Sequence, residues 1–414
     1  MSVPKLSDER DVWLSRLADH LKRERYYAPC VANYISNAKR FLGYLHEKNL
    51  TIQDVQPSHV AKYLDALSAH RKSGRKARRS KWLHVPHRAA IHILLRLVHG
   101  QWPKPPVARG ERERFHHQLI GEYNAWMQHL RGLSESTRSG RCAEALRFLA
   151  WLGERGSQKG VASISVADID AYVRWRAAWL QRRALQSATG HVRSFLRHLH
   201  GSGRIPDLAP AVLSPRVYAF EGIPSALRTE EIEKVLRCTR QDRRPVGLRD
   251  YAMLLLLSTY GLRAGEVVAL CLQDIDWAHD RLKIHHSKTG AYSELPLLRA
   301  PGEAILEYLR WGRPKTNCRE VFVRARAPFR AFRSGTLYAA LQERLKAAGV
   351  TPQGKRGAHA FRHARAVSLL KRDTPLKLIG DVLGHCSMQS TMTYLKLDAE
   401  SLRGVGLEVP AVSP

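Results

Sequence analysis

The sequence predicts a mainly α-helical chain with a small antiparallel β-sheet confined to its C-terminal half. Three observations carry this. Apolar residues recur at helical spacing through most of the first 205 residues. A set of short apolar patterns from the first hundred residues returns about 101 to 109 residues later, as two helical domains in tandem would show. Runs compatible with strands occur only between residues 275 and 297.

At 414 residues the chain can hold two or three domains with real cores. Its 68 Lys and Arg outnumber 37 Asp and Glu, and the resulting charge of +31 points to a polyanion such as nucleic acid as partner. A basic chain can also lie on a membrane. Against that, no run approaches the roughly 18 apolar residues of a span, and residues 1–10 are polar, without a signal-peptide core. A cytoplasmic protein without a membrane partner is expected. Cys30, Cys142, Cys238, Cys271, Cys318 and Cys386 form no CxxC pair, which speaks for reduced thiols and against a zinc ribbon.

In chain order, residues 11–21, 30–45 and 57–67 have helical spacing. Residues 71–88 then carry Arg71, Lys72, Arg75, Lys76, Arg78, Arg79, Lys81 and Arg88 without an acid. A solvated loop and a DNA-backbone contact, with Arg75, Lys76, Arg78 and Arg79 at its centre, both fit this run. Residues 89–98 resume a helix, and 101–109, with Pro103, Pro105 and Pro106, read as a linker. The first domain is therefore set at 1–105, and the second at 110–205.

The second domain repeats the first at Phe41 to Leu45 against Phe148 to Leu152, Val60 to Leu64 against Ile169 to Val173, and Leu95 to Gly100 against Leu196 to Gly201. Duplication explains this. Helical bundles also share apolar patterns by default. Residues 206–224, with four prolines, form the expected linker to a third domain, 225–407, and 408–414 are left as a tail.

The third domain opens with Thr229 as an expected helix cap before Glu230 and Glu231. Residues 248–259 form an apolar helix, and Gly261 permits the turn that delivers Arg263 to the next one. Residues 275–277, 281–286 and 292–297 read as strands, with Lys288 at the tip of the hairpin 287–291. Helices are expected at 301–311 and 334–348. Between them Arg324, Arg326, Arg330 and Arg333 form a second basic stretch, either phosphate contacts or a solvated loop. In the last stretch His359 and Arg362 lie three residues apart in a helical run and leave one face. A second apolar run ends at Gly384, His385 follows, and Tyr394 comes nine residues later.

The ordered set HAFRH, then LGH, then Tyr394 resembles the tyrosine recombinase, or phage integrase, family. TYGLRAGE at 259–266 is similar to the family's first-arginine box and SKTG at 287–290 to its hairpin lysine. The resemblance covers about residues 222–407. It implies a C-terminal tyrosine recombinase catalytic domain preceded by a SAM-like helical core-binding domain at 110–205 that grips the opposite face of the DNA. The helical region before it is additional, and sets this chain apart from the shorter chromosome-dimer resolvases. Phe361, where Leu is commoner, and Cys386 after LGH depart from the family only conservatively.

The resemblance implies six catalytic residues: Arg263, Lys288, His359, Arg362, His385 and Tyr394. In such a site Tyr394 attacks a phosphodiester and becomes joined to a DNA 3′ phosphate. Arg263 and Arg362 clamp the charged transition state, since guanidinium groups match it in a planar, bidentate way. Lys288 protonates the departing 5′ oxygen. His359 accepts the phenolic proton or holds the phosphate, and His385 donates a further hydrogen bond. Glu266 orients Arg263, and His363 packs behind the site. Neither ATP nor a metal is required. The i, i+4 pair His359 and His363 resembles a zinc helix, but Ala360 stands where a zinc protease has its Glu.

The expected activity is site-specific DNA integration or transposition for a mobile element, by a homo- or hetero-tetramer with possible companion recombinases. A topoisomerase-like enzyme, which would relax plasmids lacking any target site, and a DNA-binding module that has lost catalysis are the alternatives. The apolar pattern after Tyr394, at Leu397, Leu402, Val405 and Leu407, reads either as a segment that docks on a neighbouring protomer or as a frayed end.

Overall fold

The structure is a computed structural model that describes residues 6–69, 80–103, 110–218, 227–286, 290–352, 356–384 and 391–392. It divides into two compact units, residues 1–104 with 222–414, and residues 105–221. Among the described residues no helix is long and apolar enough to cross a membrane.

Within the first unit, residues 6–103 build a four-helix region with its own core. Helices α1 (Leu6–Arg23), α2 (Ala28–Glu47), α3 (Pro57–Ala69) and α4 (Ser80–His99) enclose Leu17, Leu21, Phe41, Leu45, Ile91, Leu94 and Leu95. Helix α4 starts nine residues before the expected position and carries Pro86 inside it. The basic run is thus not one loop: its last part, from residue 80, is helical, because the apolar pattern of 90–98 extends backwards past a tolerated proline. Arg75, Lys76, Arg78 and Arg79 lie outside the described residues.

The second unit repeats this plan with α5 (Glu111–His129), α6 (Glu135–Leu152), α7 (Val166–Ala177) and α8 (Arg182–Gly201) around Tyr123, Phe148, Tyr172 and Phe195. Ser165 caps α7 reciprocally with Asp168. In the first region Phe41 meets Tyr63 edge-on at 5.2 Å, with Tyr44 5.1 Å from Tyr63. In the second unit Phe148 meets Tyr172 edge-on at 4.9 Å, with Trp151 5.4 Å from Tyr172. The polar interiors differ. Glu144 accepts from the Tyr172 hydroxyl at 2.8 Å and from Arg176 Nε at 2.8 Å, whereas the Tyr63 hydroxyl has no hydrogen-bond partner among the described residues.

The expected linker begins later than residue 206. Ile205, Ala209 and Val212 belong to the core of the second unit, and Arg193 Nη2 donates to the Val212 carbonyl at 2.6 Å. Apolar side chains among the prolines explain why this part packs.

The remainder of the first unit is built on α10 (Pro245–Tyr260), which follows α9 (Thr229–Arg240). Helix α10 is buried on all sides, from Leu248 through Leu254, Leu255, Leu256 and Leu257, so the other elements pack around it. Thr229 is the first helical residue rather than the cap. Arg228 occupies the cap, and its backbone N–H donates to Glu231 at 2.9 Å, so an acid at the third helical position satisfies the cap's own N–H without any capping hydroxyl. After α11 (Ala264–Ala269), strands β1 (Ile275–Asp276), β2 (Arg281–His285) and β3 (Tyr292–Pro296) form an antiparallel sheet in the order β1-β2-β3, with Leu282 facing Leu295 and Ile284 facing Ser293. Helix α12 (Arg299–Glu307) ends in a π-helical turn, and α13 (Ser334–Ala347), α14 (Ala358–Leu370) and α15 (Leu376–Leu383) complete the unit.

Among the described residues, side chains of the first helical region meet this part. Arg25 Nη1 donates to the Lys315 carbonyl at 3.1 Å, and Arg330 pairs with Glu24 at 3.5 Å.

Candidate active site

The site begins where α10 ends. Gly261 adopts the left-handed conformation with φ of 68°, and a Cβ there would stand 2.7 Å from the Leu383 side chain. Only glycine turns the chain tightly enough at this point for Arg263 to follow in extended conformation at the N-cap of α11. Glu266, three residues on, holds both ends of Arg263. One carboxylate oxygen accepts the backbone N–H at 2.8 Å and the other accepts Nη1 at 2.7 Å.

Glu266 is nearly inaccessible, its side chain 1% exposed against 17% for Arg263. A buried carboxylate needs several donors to stay ionised. Burial pushes its pKa up, but hydrogen bonds from His286 and Arg263 outweigh this and hold it below the usual range. His286 Nδ1 lies 2.8 Å from Glu266 Oε1, and His286 Nε2 lies 2.9 Å from Ser293 Oγ.

Arg362 enters from α14 and is buried. It donates to the Gly261 carbonyl at 2.9 Å and to the Leu383 carbonyl at 2.5 Å. Arg263 Nη2 donates to the Gly384 carbonyl at 3.1 Å. The two guanidinium groups thus meet at the C-terminal end of α15, where free helix carbonyls favour cations. His359, one turn before Arg362, is exposed and borders a groove of about 450 Å³ that Ala264, Tyr338 and Gly357 also line. Its ring stacks on that of His363 at 6.2 Å, and His363 is buried behind it.

Of the residues singled out in the sequence, Arg263, Glu266, Arg362, His359 and His363 come together here. Lys288, His385 and Tyr394 lie outside the described residues. Arg324, Arg326 and Arg330 are exposed and lie away from this cluster in the chain segment before α13, with Arg330 facing Glu24. Sequence reasoning missed His286. The signal was there: Leu282 and Ile284 face inward on β2, and the same alternation carries residue 286 inward, where an imidazole must find partners.

The arrangement is suited to an anion, since two arginines are held at fixed positions by carbonyls and one carboxylate. Residues 225–401 match the model of the phage integrase family. A putative integrase/recombinase of Sinorhizobium fredii, y4rA, is 31% identical over 401 residues, covering 96% of this chain and 94% of its own length. The tyrosine recombinase XerC of Rhodospirillum centenum is 30% identical, covering 70% of this chain and 85% of its own. Among solved structures, a lambda integrase dimer bound to a COC′ core site matches with a TM-score of 0.53 at 18% identity, covering 80% of this chain and 90% of its own. With a full-length relative at that identity, the chain belongs to the phage integrase family of tyrosine recombinases.

Proposed function

We propose that this protein cuts and rejoins DNA at specific sites by transesterification through Tyr394, in the service of a mobile element. The observation that supports it best is the convergence of Arg263 and Arg362 on neighbouring carbonyls at the end of α15. In this reading, the Tyr394 oxygen bonds to phosphorus while the bond to the 5′ oxygen breaks. That oxygen takes its proton from Lys288, and the phenolic proton passes to His359. The nonbridging oxygens gain charge, and Arg263 and Arg362 stabilise it, helped by His385. Religation runs the same steps backwards, so the backbone bond energy is kept in the 3′ phosphotyrosine and no ATP or metal takes part.

The assembly proposed is a homo- or hetero-tetramer on paired recombination sites, with companion recombinases as partners. The TM-score match to a lambda integrase bound to its core site is consistent with double-stranded DNA as the ligand. Three domains serve this, at 1–105, at 110–205 with the packed stretch up to Val212, and at 225–407, the first two being duplicates that share the ring arrangement of Phe41, Tyr44 and Tyr63 with Phe148, Trp151 and Tyr172. Arg75, Lys76, Arg78, Arg79, Arg324, Arg326 and Arg330 are proposed backbone contacts.

The test is a nicked suicide substrate carrying the element's end, incubated in excess EDTA. A protein–DNA adduct is expected. Its loss on chelation, with rescue by zinc or magnesium, would refute the metal-free scheme, and relaxation of a plasmid lacking any site would favour a topoisomerase.

A further inference from the structure

We propose that His286 is a positioning residue for the phosphate clamp: its ring touches both anchors of the Arg263 guanidinium and ties them to the base of the β2–β3 turn. The inference rests on the proposed function and deepens it.

The guanidinium of Arg263 is held by Glu266 Oε1 at 2.7 Å and by the Gly384 carbonyl at 3.1 Å. His286 meets the first through Nδ1, 2.8 Å from the same Oε1. It meets the second by packing. A Cβ on Gly384 would lie 2.4 Å from His286 Cε1, so the ring lies directly against that backbone, and only a glycine leaves room for it. The other ring nitrogen is occupied by Ser293 Oγ at 2.9 Å, which fixes the ring plane. With Nδ1–H donating to the carboxylate, Nε2 accepts from the serine hydroxyl.

The backbone of the same residue closes the hairpin turn. Its N–H donates to the Ala291 carbonyl at 2.8 Å, and its carbonyl accepts from Gly290 N–H at 2.9 Å. One side chain therefore links three chain segments that are distant in sequence: the first-arginine turn, the glycine after α15, and the hairpin whose turn carries Lys288. The inward positions that precede it on β2 are Leu282 and Ile284. A third apolar residue would suit the core better, but it would leave Glu266 one donor short and take away the ring packed against Gly384, so that both anchors of Arg263 lose a support. Glu266 then keeps only its two hydrogen bonds from Arg263 against the burial that raises its pKa.

The experiment is single-turnover adduct formation on the nicked suicide substrate at saturating protein, with half-site binding and thermal unfolding measured in parallel. His286→Leu should slow adduct formation roughly 10²-fold, as expected for a small misplacement of a reacting group. Half-site affinity should stay within about twofold, since uniform binding is untouched. His286→Asn, which places an amide N–H where Nδ1–H stands, should recover most of the rate. Adduct formation at the wild-type rate in His286→Leu overturns the proposal, as does equal slowing by Leu and Asn, or a rate loss matched by a loss of affinity. Should His286→Leu not fold, Ser293→Ala carries the test. Slowing by about threefold or more at an unchanged unfolding midpoint supports the proposal, and the wild-type rate overturns it. Absence of adduct from the wild-type protein would instead refute the proposed function.

Discussion

Arg263 and Arg362 donate to the carbonyls of consecutive residues, Gly384 at 3.1 Å and Leu383 at 2.5 Å, although they belong to different helices. Two cations this close repel each other. The repulsion is offset by Glu266 on one side and by the carbonyls of Gly261 and α15 on the other, which holds the two guanidinium groups in fixed positions suited to an anion, the proposed phosphate cradle.

Arg362→Lys should disable this cradle even though the charge is kept. A lysine cannot serve two carbonyls in the planar geometry of the guanidinium. Adduct formation should fall by roughly 10² to 10³, the loss typical of one transition-state donor. Denaturant unfolding should show a loss of about 1–3 kcal/mol from the carbonyls left without a donor. Retention of the wild-type cleavage rate would mean that Arg362 is only a structural tie.

Gly384→Ala combines two costs. The residue has φ of 63°, where a Cβ is strained by about 1–2 kcal/mol. The added Cβ also lands 2.4 Å from the His286 ring, which must move. A lowered unfolding midpoint together with slowed cleavage is expected, and a variant that cleaves normally at full stability would show that α15 ends differently in solution.

Acid stability should depend on Asp242. Hydrogen bonds from Arg244 chiefly, and from Arg344, hold its carboxyl well below the usual carboxylate range against a smaller effect of burial. The folded state thus binds this proton more weakly than the unfolded state does. The stabilisation is complete above the ordinary Asp pKa of about 4 and fades as pH falls below it. Asp242→Asn should lower the unfolding midpoint at pH 7, and the difference from wild type should shrink on acidification. A difference that is constant with pH would contradict the assignment.

Removing residues 1–105 tests the proposed first domain. That region has its own core and reaches the rest of its unit through Arg25 with Lys315 and Glu24 with Arg330. If it grips DNA, its removal should shorten the footprint and flatten the salt dependence of binding, by roughly 0.9 in log–log slope for each phosphate that the protein no longer neutralises. An unchanged footprint and slope would assign the region to a protein partner.

Much of this was readable in the residues. Helical periodicity located α1, α2, α3, α10, α12 and α13, and the strand-compatible run 281–286 located β2, whereas the second unit was expected only as a helical domain without bounds for its separate helices. The early start of α4 was not readable, because a basic run followed by Pro86 reads as a break in the sequence. The packed stretch at Ile205 to Val212 was hidden among prolines for the same reason. Arg263, Glu266 and Arg362 were singled out from motif spacing, whereas His286, although the alternation of β2 carries it inward, was not. Its importance comes from a fold that places the hairpin under Gly384, and no local pattern announces that.

Tyr394 is the proposed nucleophile. The most direct measurement is recovery of the covalent adduct from a suicide substrate, followed by peptide mapping of the nucleotide-bearing fragment, for wild type and Tyr394→Phe. A DNA 3′ phosphate on the peptide containing Tyr394 is expected, and no adduct from the variant although it still binds the site. Wild-type levels of adduct from Tyr394→Phe, or a map that places the phosphate on another residue, would contradict it.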